Sequence, residues 1–255
     1  MFVADSIALL LVKVCLATSL PDALKINVTL SGRFCAVLLL SFHTFLTVAD
    51  VFSIVPVQDV DYIDTKGNEF PELTGEEKIQ IHQCLDMCDG LFFPGGIKFT
   101  PYDRYLLEVA IAKKIPVLGV CLGMQLMSCY DEEVKLEENN SFVNHNQEDD
   151  MGLAHEVLID KNSKLYQIVG KEKLMVNSFH KRHATENHVY KTVARSLDGQ
   201  IEAMEYPGST FHLGVQWHPE ISYAFDDDSK KIIDAFLESA MVRRDSRENS
   251  NLVSI

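Results

Sequence analysis

The sequence predicts an α/β fold with three layers, in which a mostly parallel central sheet carries helices on both faces. Short apolar runs alternate with segments of helical spacing over most of the chain after residue 75. The clearest unit is the apolar run 115–120, which passes directly into the helix-compatible segment 124–130. Such alternation favours parallel strands joined by right-handed crossovers, and ligands of these sheets bind at the carboxyl ends of the strands.

Each predicted element follows from residue spacing. Residues 75–88 and 102–114 have apolar side chains at helical intervals, and residues 91–93 form a short apolar strand between them. Beyond a polar, acidic stretch at 131–152, the spacing predicts strands at 154–159, 175–179, 193–195, 201–206 and 211–217, and helices at 165–169 and 230–242. Asp198-Gly199 is a hairpin signal between two of these strands.

One cysteine lies at the sharp turn that follows the strand 115–120. Gly119 and Gly123 flank Cys121, and small neighbours are needed where the backbone adopts an unusual conformation. The thiol would project above the sheet edge at the positive end of a helix, which favours the nucleophilic thiolate. The alternative is a buried structural cysteine on an ordinary turn, since free cysteines are common in cores.

A histidine and a glutamate follow the last predicted strand, two residues apart. If the backbone stays extended, His218 and Glu220 point to the same side, and Pro219 favours that geometry. Glu220 could then orient the imidazole while His218 takes the thiol proton. Alone this motif would more often be a loop, but with the glycine-flanked cysteine it predicts a catalytic triad of Cys121, His218 and Glu220.

Pro94-Gly95-Gly96 follows the strand 91–93. Its glycines would let main-chain N–H groups approach a substrate carbonyl, and together with the N–H of Leu122 they could form an oxyanion hole. We therefore predict an oxyanion hole at Gly95, Gly96 and Leu122. If this motif stood alone, a plain turn after a strand would be the simpler interpretation.

Together these motifs resemble the class I glutamine amidotransferase superfamily, and most of all its free-standing gamma-glutamyl hydrolases of the gamma-glutamyl-gamma-aminobutyrate hydrolase type. The segments that carry the resemblance occur in the family's order: Gly-x-Cys-x-Gly-x-Gln at 119–125, Pro-Gly-Gly at 94–96, Asn-Ser-x-His at 177–180 and His-Pro-Glu at 218–220. The resemblance covers about residues 89–240. It implies a flavodoxin-like α/β fold and a mechanism that needs no cofactor and no metal.

The resemblance also implies which residues bind substrate. These are Gln125 in the elbow motif and the segment Asn177, Ser178, Phe179 and His180, which would help hold the glutamyl amino and carboxylate groups. Arg182 could pair with a substrate carboxylate or could simply be exposed, and both interpretations stay open. His145 and His155 are expected to be surface-loop and strand-edge histidines, the alternative being that their loop borders the substrate pocket.

The implied reaction is hydrolysis of the gamma-glutamyl amide bond of a small compound through a thioester on the cysteine. Two alternatives stay open. One is a glutaminase subunit that passes ammonia to a separate synthetase, which is less favoured because we expect no synthetase domain in this chain. The other is a non-catalytic binding protein on the same fold.

Composition limits the partners and the compartment. The net charge of −14 over 255 residues argues against a nucleic-acid or anionic-membrane partner, and a homodimer is possible. The scattered cysteines are Cys15, Cys35, Cys84, Cys88, Cys121 and Cys129. We interpret all but Cys121 as buried thiols of a protein from a reducing compartment, and hence expect a cytoplasmic protein.

The first part of the chain is the least regular. Residues 1–20 are apolar but contain Asp5 and Lys13 and lack a basic start, which disfavours a signal peptide. By the resemblance, the domain would open with a strand at 25–30, a helix at 33–48 and a strand at 51–57. We expect a divergent N-terminal segment at 1–22, one hydrolase domain at 23–242 and a frayed tail at 243–255.

Overall fold

A computed structural model of the chain describes residues 9–13, 50–54, 72–96, 99, 102–130, 136–148 and 152–253. The strands in these ranges are β1 (Leu9–Lys13), β2 (Asp50–Ile54), β3 (Gly90–Phe93), β4 (Val117–Val120), β5 (Glu137–Glu138), β6 (His155–Ile159), β7 (Lys173–Val176), β8 (Arg182–His183), β9 (Lys191–Ser196), β10 (Ile201–Glu205) and β11 (His212–Val215). The helices are α1 (Gly75–Asp86), α2 (Asp103–Ala112), α3 (Leu122–Ser128), α4 (Lys164–Val169), α5 (Pro219–Ser222) and α6 (Asp227–Val253).

The large sheet has the strand order β2-β1-β3-β4-β11-β10-β9-β6-β7. The α/β fold is confirmed, but the sheet is mixed rather than mostly parallel. Among the strands in the described ranges, parallel pairing is confined to the neighbours β3–β4 and β4–β11, and the other pairs of this sheet are antiparallel. The hairpin predicted at Asp198-Gly199 joins β9 to β10, with Gly199 at φ +87°, and a tight hairpin necessarily gives an antiparallel pair.

Helices cover both faces of this sheet, as the sequence predicts. Successive residues of a strand point to opposite faces. Leu91 and Val117 accordingly pack with apolar side chains of α1, α2 and α3, whereas Phe92 and Leu118 pack with those of α4 and α6. The three parallel strands therefore lie in the buried middle of the domain, and the carboxyl ends of β4 and β11 lie side by side.

The N-terminal strands pair with the parallel centre. β1 lies within the predicted segment 1–22 and pairs antiparallel with both β2 and β3, while β2 overlaps the strand predicted at 51–57. The strand predicted at 25–30 and the helix predicted at 33–48 lie outside the described residues. The boundary between an N-terminal segment at 1–22 and a domain from residue 23 stays a prediction.

The C-terminal segment is helical, which corrects the expectation that the chain frays after residue 242. Helix α6 continues to Val253. Arg243 donates to the Lys113 carbonyl at 2.9 Å, and Arg247 donates to the Asp86 carbonyl and pairs with Asp89, both at 2.7 Å. These long arginine side chains fix a polar helix to the body of the domain. Among the helices of the described ranges, none is both long and apolar enough to cross a membrane.

Candidate active site

Cys121 lies at the turn between β4 and α3 in a strained conformation. Its φ is 50° and its ψ is −102°, and it is the N-cap residue of α3. A non-glycine residue with positive φ is uncommon and is held there by its surroundings. Here the Cys121 N–H donates to the Val215 carbonyl at 2.8 Å, and the Cys121 carbonyl accepts from the Gln125 N–H at 3.0 Å. The elbow predicted from the sequence is therefore present, with a buried thiol at its apex.

The two glycines of the elbow are required by close packing. A Cβ on Gly119 would lie 2.8 Å from the carbonyl carbon and oxygen of Gly123. A Cβ on Gly123 would lie 2.3 Å from the carbonyl oxygen of Phe93. Both approaches are to backbone atoms, so the start of α3 can lie this close to β4 and β3 only if these two positions lack side chains.

His218 follows β11 and meets the thiol across the neighbouring strand ends. Val215 pairs with Val120 in parallel register, so the residues beyond them lie at the same edge of the sheet. The imidazole makes a hydrogen bond with Cys121 and a 2.7 Å contact from Nδ1 to Glu220 Oε1. Burial lowers the pKa of His218, but the charge of Glu220 and the contacts with the thiol outweigh burial and raise the pKa to about 10.

Glu220 reaches the imidazole by a different route from the predicted one. The backbone does not stay extended, because Pro219 begins the short helix α5. Proline suits the first position of a helix, where its missing N–H costs nothing and its fixed φ is already helical. Glu220 therefore turns back from the first helical turn towards Nδ1, and its side chain is fully buried.

Asn177 holds the main chain of the histidine. Its amide donates to the His218 carbonyl at 2.9 Å and accepts from the His218 N–H at 2.8 Å. The same amide group also donates to the Ser222 hydroxyl at 3.1 Å. The side chain predicted to bind substrate is thus engaged in positioning the imidazole.

Gly95 and Phe179 border the same histidine. A Cβ on Gly95 would lie 2.5 Å from His218 Cε1 and 3.5 Å from Cys121 Cβ, which places the Pro-Gly-Gly loop directly against both side chains. The Phe179 ring meets the imidazole edge-on, with ring centroids 5.7 Å apart. The motifs that are distant in sequence therefore converge on one small region.

The other predicted substrate-binding side chains contact protein groups. Gln125 donates to the Arg182 carbonyl at 2.9 Å and to Gln216 at 3.2 Å. Ser178 donates to the His145 carbonyl at 3.0 Å. Arg182 forms an ion pair with Glu138 at 2.8 Å, so its side chain is neither free nor fully exposed.

Three histidines lie together in the interior, which corrects the expectation of surface histidines at 145 and 155. His145, His155 and His180 are only 3%, 7% and 3% exposed, and they surround Glu202, which is 0% exposed. Sequence analysis missed Glu202, because a glutamate in the pattern Ile-Glu-Ala-Met-Glu normally faces solvent on one side of a strand. Both faces of β10 are in fact covered. The four cysteines of the described ranges are free thiols, Cys84 being half-buried and the others buried.

Comparison with known proteins agrees with the motifs. Residues 101–220 match the family model described as Peptidase C26. The gamma-glutamyl-gamma-aminobutyrate hydrolase PuuD of Escherichia coli (strain K12) is 25% identical over 170 residues, which cover 55% of this chain and 67% of that protein. CTP synthase 2 of Rattus norvegicus is 29% identical over 196 residues, which cover 63% of this chain and 33% of that protein.

A solved structure shares the fold. The glutaminase domain of the Trypanosoma brucei CTPS, solved with bound acivicin, superposes with a TM-score of 0.53 at 23% identity, over 72% of this chain and 80% of that one. The resemblance to the Peptidase C26 and class I glutamine amidotransferase-like family is thereby confirmed. The chain has the fold of these proteins and is similar in sequence to glutamine amidotransferase-like hydrolases.

Proposed function

We propose that the chain is a cysteine-dependent hydrolase that cleaves the gamma-glutamyl amide bond of a small gamma-glutamyl compound. The observation that carries the proposal is the contact of the strained Cys121 with the imidazole of His218, which Glu220 holds at 2.7 Å. A nucleophile, a base and an orienting carboxylate in contact are the arrangement that acyl transfer through a cysteine requires. The raised pKa of His218 supports an imidazolium beside Cys121 before substrate arrives.

The reaction proceeds in two balanced steps. Cys121 Sγ attacks the side-chain amide carbonyl, and the S–C bond forms as His218 gives its proton to the leaving amine and the C–N bond breaks. Water then attacks the gamma-glutamyl thioester while His218 accepts its proton, and the C–S bond breaks to release glutamate. Glu220 stabilises the imidazolium in both steps.

The oxyanion is held by main-chain donors at the elbow. The N–H of Cys121 is already bonded to Val215, so the donor from this strand–helix turn is the N–H of Leu122, in the first turn of α3, where N–H groups have no partner within the helix. Gly95 and Gly96 supply the opposing main chain, and Gly95 already lies against the thiol and the imidazole. Losing one such donor typically costs about 100- to 1,000-fold in rate.

The segment 177–180 borders the glutamyl group through its main chain and through the half-buried ring of Phe179. The side chains of Gln125, Asn177 and Ser178 support this wall from behind, since each is bonded to protein groups. The imidazole of His180 likewise faces inward, towards Glu202. We therefore propose that these residues shape the substrate pocket and that their polar side chains do not contact the substrate directly.

The test is a hydrolysis screen of gamma-glutamyl amines and peptides with the isolated chain, with glutamate release measured by chromatography. Cys121→Ala should abolish turnover and leave the fold intact by circular dichroism. The control is Cys129→Ala, which removes a second buried thiol at the other end of α3 and should keep activity near the wild-type level. Near-normal turnover in Cys121→Ala would refute the mechanism.

A second candidate is a glutaminase that supplies ammonia to a separate synthetase. The match to CTP synthase 2 of Rattus norvegicus over a third of that protein's length favours it. In that case glutamine, rather than a gamma-glutamyl amine, is the substrate, and the isolated chain is nearly inactive. A thiol-reactive glutamine analogue separates both candidates from a binding protein, since a binding protein would show no labelling at Cys121.

A further inference from the structure

Four buried ionisable side chains form a cluster outside the proposed triad. His145, His155, His180 and Glu202 each offer one potential ligand atom, and these atoms all lie within 4.8 Å of one another. The four residues come from the loop after β5, the start of β6, the segment after β7 and the start of β10. Distant parts of the chain thus bring three imidazoles and a carboxylate to one point in the interior.

The distances from the Glu202 carboxylate to the three imidazoles are close to the spacing of metal ligands. Glu202 Oε1 lies 3.3 Å from His145 Nδ1, 3.6 Å from His155 Nε2 and 3.7 Å from His180 Nε2. Ligand atoms about 2.1 Å from a tetrahedral ion are about 3.4 Å apart. Hydrogen bonds between nitrogen and oxygen are shorter, at about 2.7–3.2 Å.

The inward-facing atoms of the cluster lack hydrogen-bond partners. In the part of the chain that the structure describes, this holds for His145 Nδ1, His155 Nε2, His180 Nε2 and both carboxylate oxygens of Glu202, all of which are buried. Buried polar atoms are almost always hydrogen-bonded, so five atoms that converge on one point and meet only in ion-pair contacts of 3.3–3.7 Å indicate a missing common partner. A cation satisfies all of them at once.

The outward-facing nitrogens are fixed. Each faces an oxygen atom: Asp198 Oδ2 at 2.9 Å for His145, the Glu156 carbonyl at 3.4 Å for His155 and the Arg182 carbonyl at 2.9 Å for His180. A carboxylate or carbonyl behind each imidazole holds the proton on the outer nitrogen and leaves the lone pair of the inner nitrogen for a metal. The carboxylate of Asp198 gives one of the three a charged outer partner.

We propose that His145, His155, His180 and Glu202 bind a Zn²⁺ ion at a closed, structural site. Three imidazoles and one carboxylate suit tetrahedral Zn²⁺, and four protein ligands leave no position open for substrate. The sequence motifs predicted no metal, because the four residues share no metal-ligand spacing along the chain. The site does not depend on the proposed hydrolase activity.

The metal content of the untagged full-length chain tests the proposal. After dialysis against metal-free buffer, the wild type should retain about one equivalent of Zn²⁺ by elemental analysis, and Glu202→Gln and His155→Gln should lower the content about tenfold or more. The control is His212→Gln, which alters another fully buried histidine that lies outside the cluster and bonds to the Ile115 carbonyl. It should leave the metal content unchanged. Wild type that retains no Zn²⁺ and gains none when Zn²⁺ is added would overturn the site.

Because a ligand variant can fail to fold, two further measurements use proteins that keep every ligand. Co²⁺ exchanged into the wild type should give the intense visible absorption of a tetrahedral ion. Asp198→Asn keeps the shape of the outer partner but removes its charge, and should weaken Zn²⁺ binding about 10- to 100-fold in competition with a chromogenic chelator. A weak octahedral Co²⁺ spectrum would refute the closed tetrahedral site, and equal Zn²⁺ affinity in Asp198→Asn would refute the role given to Asp198.

Discussion

Replacing Glu220 by glutamine tests the electrostatics of the proposed site without changing its shape. The pKa of His218 is raised from 6.5 to about 10, against the effect of burial, and the charge of Glu220 is the largest raising contribution. An increase of this size corresponds to about 5 kcal/mol in favour of the imidazolium. We expect Glu220→Gln to remove about half of it, about 2.5 kcal/mol, which is a factor of about 60 in an equilibrium or a rate.

The sign of the pH dependence follows from the same shift. Because the pKa of His218 is raised in the folded protein, the imidazolium and the stability it contributes are fully present below pH 6.5, and both are lost as the pH rises through about 10. In Glu220→Gln the pKa of His218 falls, so the alkaline limb of the pH–rate profile should shift to lower pH by about 2 units.

Alkylation of Cys121 by iodoacetamide, followed by mass spectrometry, measures this effect without knowledge of the substrate. The rate in Glu220→Gln should fall by up to about 60-fold at a pH between the lowered pKa of His218 and about 10, where the wild type keeps the imidazolium and the variant has lost it. The control is Glu205→Gln, a second buried glutamate whose carboxylate accepts from the Lys164 N–H, away from the triad. The reasoning is refuted if folded Glu220→Gln alkylates at the wild-type rate and keeps the same alkaline limb.

Three further substitutions test the packing of the site. Gly95→Ala places a Cβ 2.5 Å from the imidazole and should lower kcat about 10- to 100-fold with little change in Tm; an unchanged kcat would mean that the loop is not aligned with the base. Asn177→Ala leaves the main-chain N–H of His218 unpaired, while the His218 carbonyl keeps the Ile221 N–H; it should cost about 1–3 kcal/mol in urea unfolding, and a loss below about 0.5 kcal/mol contradicts the contact. Gly123→Ala meets a backbone oxygen of β3 at 2.3 Å, whereas Gly75→Ala meets nothing within 4 Å; the first should lower the free energy of unfolding by about 1–3 kcal/mol and the second by less than about 0.5 kcal/mol, in the same titration.

The parts of the fold that the sequence predicts are those that local signals specify. The turn at Cys121, the hairpin at Gly199 and the helix that begins at Gly75 each depend on a few neighbouring residues. Helix α1, for example, begins with a capping box in which Thr74 and Glu77 bond reciprocally, a signal contained in four consecutive residues. The local pattern of an apolar run followed by a glycine-flanked cysteine likewise predicts that Cys121 lies at the carboxyl end of a parallel strand, which is β4.

The features that the sequence did not predict depend on contacts between distant residues. A proline between two site residues is compatible with both an extended chain and the start of a helix, and only the packing of α5 against α6 decides for the helix. The C-terminal helix continues because Arg247 reaches Asp89, more than 150 residues away in the chain. The burial of His145 likewise depends on β10, since Glu202 and Asp198 lie in or beside that strand.

The segment 177–180 connects the two sites, because its successive side chains alternate between them. Asn177 and Phe179 contact His218, whereas Ser178 bonds to the His145 carbonyl and His180 faces Glu202. Alternation with a period of two is the geometry of extended chain, so one strand-like segment presents one face to the proposed base and the other face to the histidine cluster. Anything that fixes the cluster therefore also fixes the wall behind the imidazole. The Asn-Ser-x-His motif at 177–180 therefore has a structural role that does not require its polar side chains to contact substrate.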